Sequence, residues 1–273
     1  MTDDERLVLI DRDPRGFGWV RLNRPRSANA ANVELLRQLY FAVAELSDDP
    51  TVGAIVLRGE GKHFSAGGDI KEFGVRGDDL PAYMVEITSW LNSCVLSMVR
   101  SPKPVIAAVH GMVAGGGGFG VMCAADLVVA TESARFAGPG TGLGMTPDAG
   151  TTVTLVERVG FSTAMELILM NSTLNAAEAH AAGLVNWVVG DEEIEIRAGD
   201  IAAKLAAGPP TGTARAKELM WGGVADRLAS QMSVEAHVIS RLAAGSEVRE
   251  GLAAANERRP PQFARPTPAE TPQ

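Results

Sequence analysis

Cysteine is nearly absent: Cys94 and Cys123 are the only two in 273 residues. Both stand inside apolar periodic segments, so the economical expectation is two core thiols in a reducing compartment. Histidine is scarce too. The four (His63, His110, His180 and His237) are scattered without ligand spacing, and no metal is expected. Positive charge is in deficit. A net charge of −8 and a pI of about 5.1 argue against a nucleic-acid surface. Long apolar runs are missing as well. The most weakly charged window, 111–130, is interrupted by Asp126 and diluted by glycine, so it reads as core rather than as a membrane span. The opening Met-Thr-Asp-Asp-Glu lacks a basic stretch followed by an apolar one, and a cytoplasmic protein is expected. No fixed-period repeat is present.

What is present is a globular profile, 46% hydrophobic and 21% charged, long enough for one large domain with an appendage. Segments 7–10 and 18–22 read as strands around the turn Asp13-Pro14-Arg15-Gly16. Asn32 is a plausible cap for a helix carrying Val33, Leu36, Leu39, Tyr40, Val43 and Leu46. A buried strand over 54–57 leads into a loop at 63–73. A helix opened by Asp79 and Pro81 follows, then strands at 105–109 and 127–130. Segment 136–152 reads as a loop and 164–170 as helix. Asn175 and Glu178 frame a capping box, with Gly183 just past the helix end, before a last strand at 185–189. From Ile194 onward the pattern is helical, and prolines at 260, 261, 266, 268 and 272 mark a tail. Strands alternating with helices to about residue 190 predict an α/β core of parallel strands with a helical C-terminal part.

The unusual stretch is VIAAVHGMVAGGGGFGVMCAAD, 105–126. Four consecutive glycines, Gly115 to Gly118, are entropically costly, so the fold needs something there that a Cβ would block. Two readings are open: close backbone packing, or backbone N–H groups offered to a ligand at a helix start. The run is not a phosphate-binding P-loop, because no Gly-Lys-Ser/Thr follows, and it lacks a dinucleotide fingerprint. Ser65 lacks the leading glycine of a nucleophile elbow. A second glycine-rich strand-end segment, Ala66-Gly67-Gly68, reads alone as a turn. Paired with the first, it could supply the second donor of an oxyanion hole. Arg24, Arg26, Lys62, His63 and Lys71 form local basic clusters, suited to a phosphorylated small molecule or simply to a solvated surface.

The segments HFSAGGDIKEF (63–73) and HGMVAGGGGFGVMCAAD (110–126) closely resemble the two signature regions of the crotonase (enoyl-CoA hydratase/isomerase) superfamily. So do NRPRSANA (23–30), SPKPVIAAV (101–109) and AMELILMNSTLNAAEAHAAGLVNWVV (164–189), and the likeness extends to about residue 263. The resemblance implies a crotonase-type α/β spiral of ββα units. It implies a core over 1–195, a helical oligomerisation region over 196–259 that gives homotrimers or dimers of trimers, and a Pro-rich tail over 260–273. It further implies an acyl-CoA thioester as substrate, with no separate cofactor. The thioester carbonyl would sit between the N–H of Gly68 and that of Gly116 (counting from Gly111) or Gly117 (counting from Asp126). The Ala66 carbonyl would receive the adenine amino group. Arg24, Arg26 and Lys71 would meet the CoA phosphates, and Phe263 would neighbour the adenine across subunits.

Hydratases of this superfamily resemble one another in two glutamates that position and activate water. Here the first falls on Phe119 or Gly120 and the second on Gly140, and neither can move a proton. The loop instead offers Asp148, which resembles the lone catalytic aspartate of several superfamily isomerases and the nucleophile of the 4-chlorobenzoyl-CoA dehalogenase branch. That branch also needs a His where Asn92 stands and a Trp where Gly140 stands. Asp148 is equally placed to cap the helix starting near Thr151, and Glu86 reads as an exposed helical residue. The resemblance therefore implies an enoyl-CoA double-bond isomerase with Asp148 as single acid/base. The alternatives are a hydratase with another way of holding water, or a non-catalytic acyl-CoA carrier.

Overall fold

The chain enters as an antiparallel hairpin, β1 (Val8–Asp13) and β2 (Phe17–Leu22), turned at Gly16 with φ +89°. The computed structural model describes residues 6–138 and 140–264. Pro139 and, of the expected Pro-rich tail, residues 265–273 lie outside them. α1 (Val33–Asp48) begins where the Asn32 side chain accepts from Leu35 N–H at 3.0 Å, as its sequence position predicts. β3 (Ile55–Gly59) follows. The segment at 63–73, read as a loop, winds from Ile70 into a short helix, α2 (Ile70–Gly74), because Asp69 caps it by accepting from Glu72 N–H.

α3 (Leu80–Arg100) leads to β4 (Val105–Val109), whose five residues are all buried. β5 (Met112–Ala114) runs into the glycine stretch, and α4 (Val121–Cys123) continues from it to β6 (Leu127–Thr131). The segment at 136–152, expected to be loop, opens with the end of a strand, β7 (Arg135–Ala137). Next come α5 (Thr151–Val159), α6 (Phe161–Leu169), β8 (Thr173–Asn175), α7 (Ala176–Ala181) with the expected capping box, and β9 (Trp187–Val189).

The large sheet has the order β1-β2-β3-β4-β6-β9, parallel from β2 onward. A small sheet joins β5, β7 and β8, with β7 and β8 antiparallel. This is the α/β crotonase-type architecture that the motifs imply. The parallel strands are covered on both faces, which is why β4 reads as an unbroken apolar run. Val105, Ala107 and Val109 join the core under α1 and α3, whereas Ile106 and Ala108 face Phe17, Trp19 and α8 (Ile194–Ala206). No helix among the described residues is long and apolar enough to cross a membrane.

The 33-residue α9 (Pro210–Leu242) packs back along α3, and α10 (Ser246–Glu257) against α2. Lys217, 6% exposed at its side chain, fastens α9. Its ammonium pairs with Asp126 at 2.7 Å and donates to the carbonyls of Met98 and Lys103. Asp126 also accepts from Val105 N–H and Trp221 Nε1–H, each at 2.7 Å. One carboxylate thus joins the start of β4, the approach to β6 and the long helix. Breaking one partner of a buried pair strands the other charge. Asp126→Ala is expected to lower the unfolding free energy by about 3–5 kcal/mol in urea titrations. Arg37→Ala, in the exposed Glu34–Arg37 pair, should cost less than about 1 kcal/mol.

Candidate active site

The loops that leave the carboxyl ends of β2, β3 and β4 are laced into one layer. Ala66 N–H donates to Ala28 O, Ala31 N–H to Gly67 O, and Asp69 N–H to Ala31 O. On the other side Phe64 N–H donates to His110 O, Ser65 N–H to Met112 O, and Ala114 N–H to Ser65 O. Segment 63–69 is therefore held between 28–31 and 110–114, at the strand ends where open parallel sheets bind ligands. Gly67, with φ +96°, lies so close to the next loop that a Cβ there would stand 2.9 Å from Ala114 O.

Residues 115–120 form a wide helical turn in which Val121 N–H reaches back to Gly116 O, five residues earlier. Each glycine admits a different neighbour. A Cβ on Gly117 would lie 2.5 Å from Ala31 Cβ, and one on Gly118 2.5 Å from Ser65 O. One on Gly116 would overlap the Asp148 carboxyl, 2.6 Å from its Cγ. Among the described residues no acceptor is found for the N–H groups of Gly68, Gly116 or Gly117. The three sit on loops in mutual contact. The packing and the ligand-facing readings of the glycine run are compatible.

A cavity of about 340 Å³ opens at this junction. Ala66, Gly68, Gly116, Gly117 and Asp148 all line it. The rest of its wall is apolar: Leu36 from α1, Met84, Ile87 and Leu91 from α3, Leu143 and Met145 from the later loop, and Ile239 from α9. Thr146 and Asn171 add polar groups, but Asp148 is the sole ionisable side chain among the described lining residues. A larger hollow of about 660 Å³, between the end of α3 and the start of α9, is bordered by Arg100, Arg215 and Glu218 and holds none of these loops.

Arg24, Arg26, Lys71 and Phe263 lie outside the cavity wall. Arg24 donates to Ala30 O at 2.6 Å and to Asp69 at 3.1 Å, tying two loops together. Arg26 and Lys71 are exposed, and Phe263 is 41% exposed in the single chain. Phe119 is buried in the core rather than in the cavity wall. At Gly120 a side chain has no room, since a Cβ would overlap that of Ala149 and come within 3.3 Å of Thr151 Cγ2. Asn92 donates to Met232 O at 3.3 Å, and Glu86 faces solvent.

Asp148 does not cap α5. That helix is capped at Gly150 with no bond from the Asp148 side chain; only the backbone carbonyl of Asp148 accepts, from Thr151. The Gly150 and Thr152 donors are taken by a residue the sequence reading passed over. Glu235, on α9, accepts from Gly150 N–H at 2.7 Å, Thr152 N–H at 3.1 Å and the Thr152 hydroxyl at 2.5 Å. A signal for it existed: Leu228, Met232, Glu235 and Ile239 share the buried stripe of α9, and a glutamate there demands partners. Burial pushes the Asp148 carboxyl up to about 7, and the negative charge of Glu235 pushes in the same direction. An acid of that strength can give and take a proton near neutrality.

The enoyl-CoA hydratase/isomerase family model matches residues 13–266. The chain belongs to that family. It is 35% identical over 260 residues to the "Probable enoyl-CoA hydratase echA8" of Mycobacterium tuberculosis, covering 94% of this chain and 97% of the relative. It is 37% identical over 195 residues to 4-chlorobenzoyl coenzyme A dehalogenase-2 of an Arthrobacter species, covering 71% and 70%. The crystal structure of an enoyl-CoA hydratase from Mycobacterium avium subsp. paratuberculosis K-10 superposes with a TM-score of 0.85 at 30% identity, covering 95% of this chain and 99% of that one.

The raised pKa of Asp148 has a stability consequence. The folded protein holds this proton more tightly than the unfolded chain, whose aspartates titrate near about 4. The stabilisation is therefore complete below about pH 4 and is lost as pH rises through about 7. Asp148→Asn removes no hydrogen bond from the carboxyl to another residue. Thermal unfolding should find it as stable as the parent near pH 4 and more stable, on the order of a few kcal/mol, at pH 8. A helix-capping aspartate would give the opposite sign.

Proposed function

We propose that this family member shifts the double bond of an enoyl-CoA, with Asp148 as its only acid/base. The observation that carries the proposal is the solitary ionisable carboxyl at the apolar cavity wall, raised to about 7 and seated against the glycine loop. Ionised Asp148 takes the proton at C2 of a 3-enoyl thioester. The C–H electron pair passes into the conjugated system, leaving negative charge on the thioester oxygen. The N–H groups of Gly68 and Gly116 receive that charge, each donor worth about 3–4 kcal/mol in such sites. Gly116 is preferred to Gly117 because it is the glycine in contact with Asp148. Protonated Asp148 then delivers the same proton to C4, and the double bond rests between C2 and C3.

One carboxyl suffices for this cycle, whereas adding water needs a second group to hold it. The positions where that group falls in hydratases are filled by core-packed Phe119 and by Gly120 and Gly140. The CoA phosphates would lie toward exposed Arg26 and Lys71, outside the cavity. The apolar wall suits a hydrocarbon acyl group.

The dehalogenase relative supports a second reading, in which Asp148 attacks an aryl carbon. It is weaker, because the described residues of the cavity wall include no histidine to activate water for the second half-reaction. Incubation with 3-enoyl-CoA thioesters in D₂O, followed by NMR, separates the possibilities. Migration supports the isomerase, with any label incorporated reporting exchange of the Asp148 proton with solvent, and chloride release from 4-chlorobenzoyl-CoA supports the alternative. Asp148→Asn is expected to lose about 10²–10⁴ in kcat while retaining acyl-CoA binding. Binding without migration or exchange in the parent protein would overturn the isomerase proposal.

A further inference from the structure

A glutamate in the apolar stripe of a packed helix is costly unless its oxygens are satisfied. Glu235 is 4% exposed and lies between Met232 and Ile239 on the inner face of α9. Leucine would serve packing better there. The carboxylate is spent instead on the turn that carries Asp148. That turn is unusual, since Ala149 and Gly150 both adopt left-handed backbone, with φ +57° and +71°. For alanine this conformation is strained and persists only where surrounding bonds over-determine it. Glu235 supplies those bonds through Gly150 N–H, Thr152 N–H and the Thr152 hydroxyl. α9 also closes directly onto the turn, because a Cβ on Gly150 would stand 3.2 Å from Met232 Cγ.

We propose that Glu235 is the positioning residue of this site: it takes the helix-capping bonds that Asp148 would otherwise make, and so leaves the Asp148 carboxyl unbound at the cavity wall. The role rests on the acid/base reading of Asp148. A helix start attracts the nearest carboxylate. With Glu235 in place, the first donors of α5 are engaged and Asp148 is free to turn toward Gly116. The long C-terminal helix therefore contributes to the acyl cavity of its own chain.

The charges around the pair are few. α3 presents Met84, Ile87 and Leu91 to the cavity, and the glycine turn presents backbone alone. On α5, Glu157 pairs with Arg227, and Arg158 donates to the carbonyls of Cys123 and Ala125. Glu235 is thus the charged neighbour that acts on Asp148, and it opposes loss of the proton. Removing the charge should make Asp148 a stronger acid.

The test compares the parent with Glu235→Gln, reading the Asp148 carboxyl in the free protein by ¹³C NMR titration, assigned with Asp148→Asn. A downward shift of about one pH unit, a tenfold change in proton affinity, is expected. A parallel shift should appear in the pH profile of kcat. An unchanged titration in a folded Glu235→Gln protein would overturn the proposal. Should that variant not fold, Thr152→Val removes one bond to Glu235 at an exposed position. It should lower kcat about tenfold with KM unchanged. A lower melting temperature with unchanged kcat would overturn the proposal in that case. Absence of turnover in the parent counts against the isomerase alone, because the carboxyl titration needs no substrate.

Discussion

Where Asp148 meets Gly116 there is room for one side chain, and the aspartate has it. The carboxyl occupies the volume that a Cβ on residue 116 would need, and its enclosure there raises its proton affinity. The neighbouring glycines repeat the arrangement with other partners: Ala31 against Gly117, Ser65 against Gly118, Ala149 against Gly120. Three chain segments far apart in sequence converge on six residues of backbone. The close packing strips that backbone of side chains, and the start of the wide turn leaves its N–H groups without intrahelical acceptors. Donors and carboxyl come together because the same missing side chains admit both.

A buried carboxyl near its neutral point is useful to a proton shuttle and unfavourable to the fold. The surrounding structure offsets the cost. α5 is capped from α9 rather than from its own loop, and the left-handed turn at Ala149 and Gly150 is held by bonds from outside it. α9 in turn is anchored by Lys217 on Asp126, the aspartate at the end of the glycine segment. The C-terminal helices therefore belong to the site energetically as well as to the molecular surface. A change in how α9 sits would reach Asp148 through Glu235.

Much of this was legible in the sequence, for local reasons. Asn32 and the Asn175–Glu178 box announce helix starts because a cap is made within three residues. β4 announces itself because burial on both faces leaves an unbroken apolar run. The two signature loops mark the cavity, and Asp148 stands out as a carboxylate amid glycine. What could not be read depends on distant partners. β7 and β8 are three residues each and exist through their pairing. α2 hides within a motif that looks like loop. Glu235 lies 85 residues from the Gly150 amide it holds, and in a helix rich in charge it looks like one more solvated residue. Arg24, whose charge suggests phosphate, is engaged by Asp69 and Ala30 O.

The central claim is that one enclosed carboxyl carries a proton from one carbon to another. The most direct measurement follows the hydrogen itself, using a 3-enoyl-CoA deuterated at C2 and turned over in ordinary water. If Asp148 is the shuttle, a measurable share of the deuterium appears at C4 of the product, and none does with Asp148→Asn. Product formed with no deuterium at C4, or at an undiminished rate by Asp148→Asn, would contradict it.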